Sequence, residues 1–299
     1  MSNKNLYHLQ DSAEFPEIRE GVWASGKLEA FTKYISAYLA ILQADPDGNT
    51  IYFDGLSGSG SRQNQLPSLY DQLRLTPEEE RVYQHAAEQV IRLDKSFDYY
   101  YFVDTWSNLE PLQERVSDSA ELNGKRLFFR QEECNHELRK LAYAMQSDDY
   151  AALVFLDPFG MGVEWPSIAG LQGTRSDIWI LLPTGVMVDR FSDTPDLLTD
   201  GAGLESCFGL SGEEIRREFQ KEEKQITLFG EDDFTCKICY PIQHIANLYI
   251  RQLKTGWKYV SETPLVLYNS RHVPVYHFVY ATNNETARNI AGDIIGDGQ

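Results

Sequence analysis

The stretch Ile51–Arg62, IYFDGLSGSGSR, decides the fold that the sequence predicts. An apolar, aromatic run ends in an acid, Asp54, and is followed by three glycines, Gly55, Gly58 and Gly60. This order is typical of a buried parallel strand, a glycine turn and the start of a crossover helix. Glycine suits such a turn because it tolerates positive φ angles and lets a ligand approach the backbone closely.

Three kinds of nucleotide-binding motif contain a turn of this type. A P-loop has Lys and then Ser or Thr after its last glycine, but Ser61 and Arg62 follow Gly60 here. The dinucleotide fingerprint orders its glycines as G-x-G-x-x-G, whereas this turn has the order G-x-x-G-x-G. The third motif is an S-adenosylmethionine loop, in which the acid faces the methionine ammonium. The stretch favours this third interpretation, and a turn with a purely structural role stays open.

The composition predicts a folded, globular protein in a reducing compartment. Hydrophobic residues make up 42% of the 299 residues, and no run of roughly 18 apolar residues marks a membrane span. The polar, acidic N-terminus is unlike a signal or transit peptide, so we expect a cytoplasmic protein without membrane association. The four cysteines are too few for a disulfide scaffold, and Cys236-x-x-Cys239 has only His244 near it, so no metal site is expected.

The net charge restricts the partners that the sequence predicts. The chain carries 45 acids and 27 bases, which gives a formal charge of −18. Such a field repels nucleic acid at long range and disfavours general avidity for DNA or RNA. Binding of nucleic acid then requires a local basic patch or a partner that supplies positive charge.

Near-continuous apolar runs alternate with helical segments in the first two thirds of the chain. Such runs are typical of strands buried on both faces, so we expect an α/β fold with a mostly parallel sheet covered on both sides. Leu265–Tyr268 and Val273–Ala281 predict an antiparallel hairpin near the carboxyl terminus. The strands expected after the first one are Tyr99–Asp104, Arg126–Arg130, Ala151–Asp157 and Asp177–Leu182.

The segment between the fifth strand and the hairpin differs in composition from the rest. It is polar and charged, as in Glu213–Lys224, EEIRREFQKEEK, and predicts a helical insertion over 186–261. We interpret this insertion as a substrate-recognition region. The predicted sheet domain then comprises 21–185 and 262–299, and 1–20 form a separate N-terminal segment.

Acids stand at or just after the ends of four predicted strands. They are Asp54, Asp104, Asp157 and, just past its strand, Glu133. The carboxyl ends of parallel strands lie along one edge of a sheet, where ligands bind in open α/β folds. Together with the glycine turn, these acids predict a binding site at that edge.

Short motifs spread over nearly the whole chain occur together in one known family. The most specific are the acid–glycine turn Asp54–Gly60 and the block Phe155–Gly160, FLDPFG, with Trp165 after it. On these motifs the chain resembles the three-Cys-motif partner proteins (TcmP), within the class I methyltransferases. The other matching positions are Trp23, Lys27, Leu28, Tyr34, Val103, Asp104, Cys134, Asn135, Gly185, Val188, Arg190, Tyr268, Asn269 and Ser270.

The resemblance implies a seven-stranded Rossmann-like sheet, with six parallel strands and one reversed strand, that binds S-adenosylmethionine. It also implies a partner protein that carries a cysteine motif. The chain departs from the family at Ser57 and Ser59, where a small residue and Pro are usual, and at Glu132-Glu133, where Gly-Asp is usual. The positions implied for the cofactor are Asp54, Gly55, Ser57, Gly58 and Gly60 at the methionine part, Asp104 at the ribose, Glu133 near the adenine, and Lys27 at the cofactor carboxylate or the substrate.

The turn Asp157-Pro158-Phe159 bears on catalysis. Amino-methyltransferases of adenine or cytosine use [DNS]-P-P-[YFW], in which the acid accepts hydrogen bonds from the exocyclic amine and the aromatic ring stacks on the flipped base. Here the second Pro is absent and the aromatic residue comes one place early. The alternative is that Asp157 caps a helix and Phe159 packs in the core. His136, His244 and His277 have no partner at catalytic spacing.

These observations predict an S-adenosylmethionine-dependent methyltransferase that modifies an exocyclic amine of a nucleobase in DNA or RNA. The charge of −18 favours a different acceptor, a small molecule or a protein. A third interpretation is a catalytically inactive, cofactor-binding partner subunit of a three-Cys-motif protein.

Overall fold

The computed structural model describes residues 22–42, 48–57, 86–104, 106–117, 124–158, 161–188, 201–227, 230–237, 241–268 and 274–297. The predicted N-terminal segment 1–20 lies outside these residues. The strands are β1 (Asn49–Gly55), β2 (Tyr99–Asp104), β3 (Arg126–Gln131), β4 (Tyr150–Leu156), β5 (Ser176–Leu182), β6 (Gln220–Thr227), β7 (Gly230–Lys237), β8 (Tyr259–Val260), β9 (Leu265–Tyr268) and β10 (Pro274–Thr282). The helices are α1 (Val22–Leu42), α2 (Ala86–Ile91), α3 (Trp106–Ser117), α4 (Cys134–Ala144), α5 (Trp165–Ala169), α6 (Thr184–Val188), α7 (Gly201–Phe208), α8 (Gly212–Phe219), α9 (Pro241–Leu253) and α10 (Glu285–Asp297).

The main sheet has eight strands in the order β3-β2-β1-β4-β5-β10-β8, with β9 also paired to β10. The pairs among β1 to β5 are parallel, and β10 runs antiparallel to β5, β8 and β9. The prediction of an α/β fold with a mostly parallel sheet and a C-terminal antiparallel hairpin is therefore confirmed.

The expected number of seven strands needs a correction. Strand β10 uses one edge to pair with β5 over 277–281, so β8 and β9 both lie on its other edge. There β8 pairs with Ala281 and Thr282, and β9 pairs further back along β10. Eight strands thus fill seven positions, because the edge strand is interrupted between β8 and β9.

Helices cover both faces of the sheet, as the apolar strands require. On one face, α1 places Phe31 and Tyr34 against Trp179, with ring centroids 5.8 and 4.7 Å away, and α10 packs beside it. On the other face, α4 and α9 bury Leu138 and Ile245 in a second apolar cluster. Both clusters are continuous with the inward side chains of the strands between them.

The region 186–261 is not purely helical. Strands β6 and β7 pair antiparallel from Gln220 opposite Lys237 to Thr227 opposite Gly230. The prediction of helix is therefore wrong for this stretch, because a charged segment without apolar periodicity does not distinguish a helix from a β-hairpin. Helix α9 and strand β8 belong to the core and the main sheet, so the described structure does not separate 241–261 from the sheet domain.

Candidate functional site

Strand register brings three of the predicted acids to one edge of the sheet. Asp54 is the sixth residue of β1, Asp104 ends β2, and Asp157 follows β4 directly. Gly55 pairs with Val103 in β2 and with Leu156 in β4. Asp104 and Asp157 directly follow these two partners, so they lie at the same end of the strands as Asp54. This edge is the candidate functional site.

Asp54 lies at the centre of the site and is buried, with 2% of its surface exposed. Its Oδ2 accepts a hydrogen bond of 3.2 Å from the hydroxyl of Tyr52. Burial raises the pKa of Asp54 well above its usual range, and the nearby carboxylates of Asp157 and Asp104 raise it further against the effect of the Tyr52 bond. A negative charge at Asp54 is therefore unfavourable without a cation, and a cation placed there gains from all three acids.

Asp104 is also buried and is held by the helix that follows it. Its Oδ1 accepts a hydrogen bond of 2.9 Å from Nδ2 of Asn108, in the first turn of α3. Asn108 was not among the predicted site residues. Its position four residues after the acid, at the start of a helix, is the local signal that could have identified it.

The turn after β1 differs in detail from the sequence expectation. The positive φ of the described turn belongs to Leu56, at 76°, and not to Gly55. The amides of Leu56 and Ser57 donate to the carbonyl oxygen of Val103 at 2.7 and 3.2 Å, which fixes the turn on β2. The hydroxyl of Ser57 donates to the carbonyl oxygen of Asp54 at 2.9 Å. A left-handed non-glycine residue costs on the order of 1 kcal/mol, and these bonds offset it.

Gly55 is required for space. A Cβ atom on it would lie 2.7 Å from Cδ2 of Leu156 and 2.8 Å from Sγ of Cys134. The thiol of Cys134 is buried, and burial together with nearby acids raises its pKa, so it stays protonated and acts as a packing group.

Glu133 has a structural role in addition to the predicted contact near adenine. It is the N-cap of α4, and its carboxylate accepts from the amides of Asn135 at 2.8 Å and His136 at 2.9 Å. Its side chain is 58% exposed and lies 4.0 Å from a guanidinium nitrogen of Arg139. Both carboxylate oxygens are thus engaged in capping, and a cofactor contact stays a prediction.

Asn135 connects two loops of the site. Its Nδ2 donates to the carbonyl oxygen of Gly162 at 2.8 Å, and its Oδ1 accepts from the amide of Glu164 at 2.8 Å. The same Nδ2 lies 2.6 Å from Oε1 of Glu133. The buried amide therefore joins the end of β3 to the loop that follows Asp157. Asn135 was predicted only as one of the positions that match the family, without a role in the site.

Of the predicted catalytic turn, Asp157 is half-buried and Pro158 is buried. Phe159 lies outside the described residues, as do Gly58 and Gly60 of the glycine turn. The backbone of Lys27 is part of helix α1. Cys236 lies in β7, and Cys239 is outside the described residues.

A chain of polar side chains, two of them buried, lies at the end of β5 and reaches the surface at Gln243. Thr184 and Nδ1 of His277 are 2.8 Å apart, and Nε2 of His277 is 3.3 Å from Oε1 of Gln243. The amide oxygen of Gln243 accepts from Nε2–H, so Nδ1 accepts from the Thr184 hydroxyl. Burial lowers the pKa of His277 to about 4, which keeps the imidazole neutral.

Within the described ranges, no group of three or more His, Cys, Asp or Glu side chains is arranged to hold a metal ion. In that same part of the chain, none of the helices combines the length and apolar character needed to cross a membrane.

No protein-family model matches the chain, and no curated protein matches it. Among solved structures, the chain is similar to the crystal structure of protein LPL1258 from Legionella pneumophila, of the family DUF519. The two share 11% identity with a TM-score of 0.34, over 86% of this chain and 97% of that one. A similarity of this size carries no argument about function, so membership in the TcmP family stays a prediction.

Proposed function

We propose that the protein is a cytoplasmic S-adenosylmethionine-dependent methyltransferase that acts on an exocyclic amine of a nucleobase. One observation carries the proposal: Asp54, buried next to Gly55 at the carboxyl end of a parallel strand, has two further acids close enough to raise its pKa. A ligand with positive charge near its methyl donor is complementary to that arrangement.

The residues at this edge have the chemistry to hold such a cofactor. Asp54 would accept from the methionine ammonium, and the bare backbone at Gly55 would allow close approach. Asp104, whose carboxylate is oriented by Asn108, would accept from the ribose hydroxyls. When bound, S-adenosylmethionine supplies an electrophilic methyl group on a sulfonium.

Asp157 is the residue proposed for the acceptor side. It follows β4 directly, it is half-buried, and Asn135 bonds the loop just beyond it at Gly162 and Glu164. A carboxylate in that position accepts a hydrogen bond from an exocyclic amine, which turns the lone pair of the amine toward the methyl donor.

The net charge of −18 favours a second candidate, methylation of a small molecule or a protein at the same site. The two candidates share the cofactor and differ only in the acceptor. A methyl-transfer assay with single-stranded RNA, single-stranded DNA and a peptide mixture as acceptors separates them.

The test of the proposed function is calorimetric titration with S-adenosylmethionine and S-adenosylhomocysteine, with ATP and NAD as controls. We expect binding of the first pair alone. Asp157→Ala is expected to keep cofactor binding and to lose methyl transfer by roughly a hundredfold or more, because orientation of the amine is lost. Absence of binding by the first pair contradicts the proposal, and full transfer by Asp157→Ala contradicts the role of that residue.

A further inference from the structure

One face of the β2–β3 pair carries a row of aromatic rings with two arginines. Tyr99 and Tyr101 of β2 stand opposite Arg126 and Phe128 of β3, and Arg130 stands opposite Val103. The rings of Tyr101 and Phe128 are stacked, with centroids 4.9 Å apart and planes at 14°. Phe128 also stacks against Tyr99 at 6.4 Å and 28°, so the three rings form one row. We call these five residues, Tyr99, Tyr101, Arg126, Phe128 and Arg130, the arginine–aromatic row.

The guanidinium groups lie over the ring faces. The Cζ atom of Arg126 is 5.0 Å from the ring centroid of Tyr99, and that of Arg130 is 5.5 Å from Phe128 and 5.9 Å from Tyr101. Arg126 also donates to the Tyr99 hydroxyl at 2.7 Å. Both arginines are exposed, and the three rings are half-buried. Each guanidinium is thus held against a ring while its other N–H donors face solvent.

Four other arginines of the described chain have a carboxylate partner, and these two do not. Arg115, Arg139, Arg217 and Arg251 each form an ion pair with a carboxylate. Among the described residues, no ion pair is formed by Arg126 or Arg130. Although the chain has 45 acids and 27 bases, neither of these two arginines, which stand four residues apart in β3, is paired with a described carboxylate.

The acids close to the row do not cancel its charge. Glu137 approaches Tyr101, but it is buried and its charge is balanced by an ion pair with Lys140. Glu132 is exposed beyond the end of β3. Counted over the described residues, the row therefore keeps a local positive charge, although the whole chain is strongly negative.

We propose that the arginine–aromatic row is a binding surface for single-stranded nucleic acid. Phosphates pair with the free guanidinium edges of Arg126 and Arg130, and unstacked bases stack on the outer planes of these guanidinium groups, which lie over the rings. An acidic peptide would use the charges but would offer no planar group to stack on the guanidinium planes. A duplex keeps its bases stacked inside and would use only the charges.

The row also leads toward the candidate site. Arg130 pairs with Val103, the residue before Asp104, so the row ends at the edge where the acids lie. A strand bound along it can present a base at that edge. The claim that the bound strand is the substrate rests on the proposed function, whereas the binding itself does not.

The test is fluorescence anisotropy with labelled oligouridylate, oligothymidylate and the matching duplexes at low salt, without cofactor. We expect the single strands to bind, the duplexes to bind more weakly, and the affinity to fall as salt rises. The double variant Arg126→Ala/Arg130→Ala is expected to lose roughly tenfold or more in affinity. The two oligonucleotides distinguish RNA from DNA.

The other edge of the sheet offers a matched control. There Lys258 and Arg288 each lie 5.0 Å from the ring centroid of Tyr259. Lys258→Ala/Arg288→Ala makes the same change in net charge and also removes two cations from a ring, and it is expected to leave the affinity unchanged. Arg126→Lys/Arg130→Lys keeps the charge without the planar group and is expected to lose part of the affinity.

Several results would overturn the proposal. These are no binding of any oligonucleotide at low salt, equal losses in the two double alanine variants, equal affinity for duplexes, or competition by polyglutamate as strong as that by oligouridylate. Because the assay contains no cofactor, the two proposals can fail separately. Oligonucleotide binding by a protein that does not bind S-adenosylmethionine would contradict the proposed function but not the binding surface. Cofactor binding without oligonucleotide binding would contradict the binding surface but not the proposed function.

Discussion

Two buried aspartates, which lie at opposite ends of the parallel strands in the same sheet, show how similar groups acquire different roles. Asp54 is near the carboxyl end of β1, and Asp177 is near the amino end of β5. Both are almost fully buried, and burial is the largest cause that raises the pKa of each. Burial alone therefore does not distinguish a functional acid from a structural one.

The neighbours of the two acids make the difference. Asp177 accepts from the Tyr34 hydroxyl at 3.0 Å and from Oγ1 of Thr282 at 2.5 Å, and these bonds moderate its pKa to about 7. Asp54 accepts from the hydroxyl of Tyr52 and faces two other carboxylates, which raise its pKa further. Asp177 is satisfied by donors, whereas Asp54 would be stabilised by a positive ligand.

The largest expected effect is on cofactor affinity. Asp54→Asn is expected to weaken S-adenosylmethionine binding by roughly a hundredfold, because it removes the charge opposite a cation in a buried site. Asp177→Asn makes the same chemical change at the amino ends of the strands and is expected to leave the affinity for S-adenosylmethionine unchanged. Calorimetric titration of both variants measures the contrast, and circular dichroism checks their folding. Equal losses in the two variants would remove the functional distinction between the acids.

A second expectation concerns protons released on binding. Because the pKa of Asp54 is raised in the free protein, a bound cation lowers it and the carboxyl releases its proton. Affinity should therefore rise with pH below that pKa, by up to about tenfold per pH unit. The calorimetric enthalpy should also change between buffers of different ionisation enthalpy. Asp54→Asn should abolish this buffer dependence, and its persistence there would assign the proton to another group.

Asp177 is expected to affect stability and not binding. Its folded pKa of about 7 lies above the usual value for Asp, so the native state holds a proton that the unfolded state has lost between about pH 4 and 7. The contribution of Asp177 to the free energy of unfolding then falls as pH rises through this window, by at most about 1.4 kcal/mol per pH unit.

Urea unfolding of the wild type and Asp177→Asn across this window measures that slope. The difference between the two proteins is the informative quantity, because His277, with a pKa of about 4, gives the opposite slope between about pH 4 and 6.5 in both. A wild-type-minus-variant difference that does not vary with pH would contradict the raised pKa of Asp177.

The smallest expected effects come from the hydroxyl donors. Tyr34→Phe removes a donor to Asp177 and is expected to lower the free energy of unfolding by about 1 kcal/mol at pH 8, with unchanged cofactor affinity. Tyr52→Phe removes the donor to Asp54 and is expected to weaken cofactor binding a few-fold at neutral pH, because the charged form of Asp54 loses a stabilising bond. Urea unfolding and calorimetric titration of both variants measure these losses. A loss of cofactor affinity in Tyr34→Phe together with unchanged affinity in Tyr52→Phe would contradict the different roles of the two aspartates.

Local sequence patterns predict the sheet and its acid-lined edge. The run YAALVFL of β4 and the run SDIWILL of β5 are apolar enough to predict buried strands, and parallel pairing then aligns Asp54, Asp104 and Asp157. The contacts that define the chemistry are less local. Thr282 lies 105 residues from Asp177, and Tyr34 lies 143 residues from it, so no periodicity reveals these bonds.

Other features were missed because more than one local structure fits the same residues. The capping of α4 by Glu133 and the loop connection made by Asn135 depend on where neighbouring segments pack. The hairpin of β6 and β7 depends on pairing between strands, which a charged segment does not specify. We expected the positive φ of the turn at a glycine, but it belongs to Leu56. Glycine is needed at position 55 for a different reason, because a Cβ atom there would clash with Leu156 and Cys134.

The interrupted edge strand has a consequence for how copies of the protein meet in solution. An exposed edge strand can pair with the backbone of another molecule and seed aggregation. Here one edge of the sheet consists of two strands of two and four residues, with Pro264 in the connection between them. Neither piece offers an incoming chain a long ladder of hydrogen bonds. This break in the edge strand opposes intermolecular pairing at that end of the sheet.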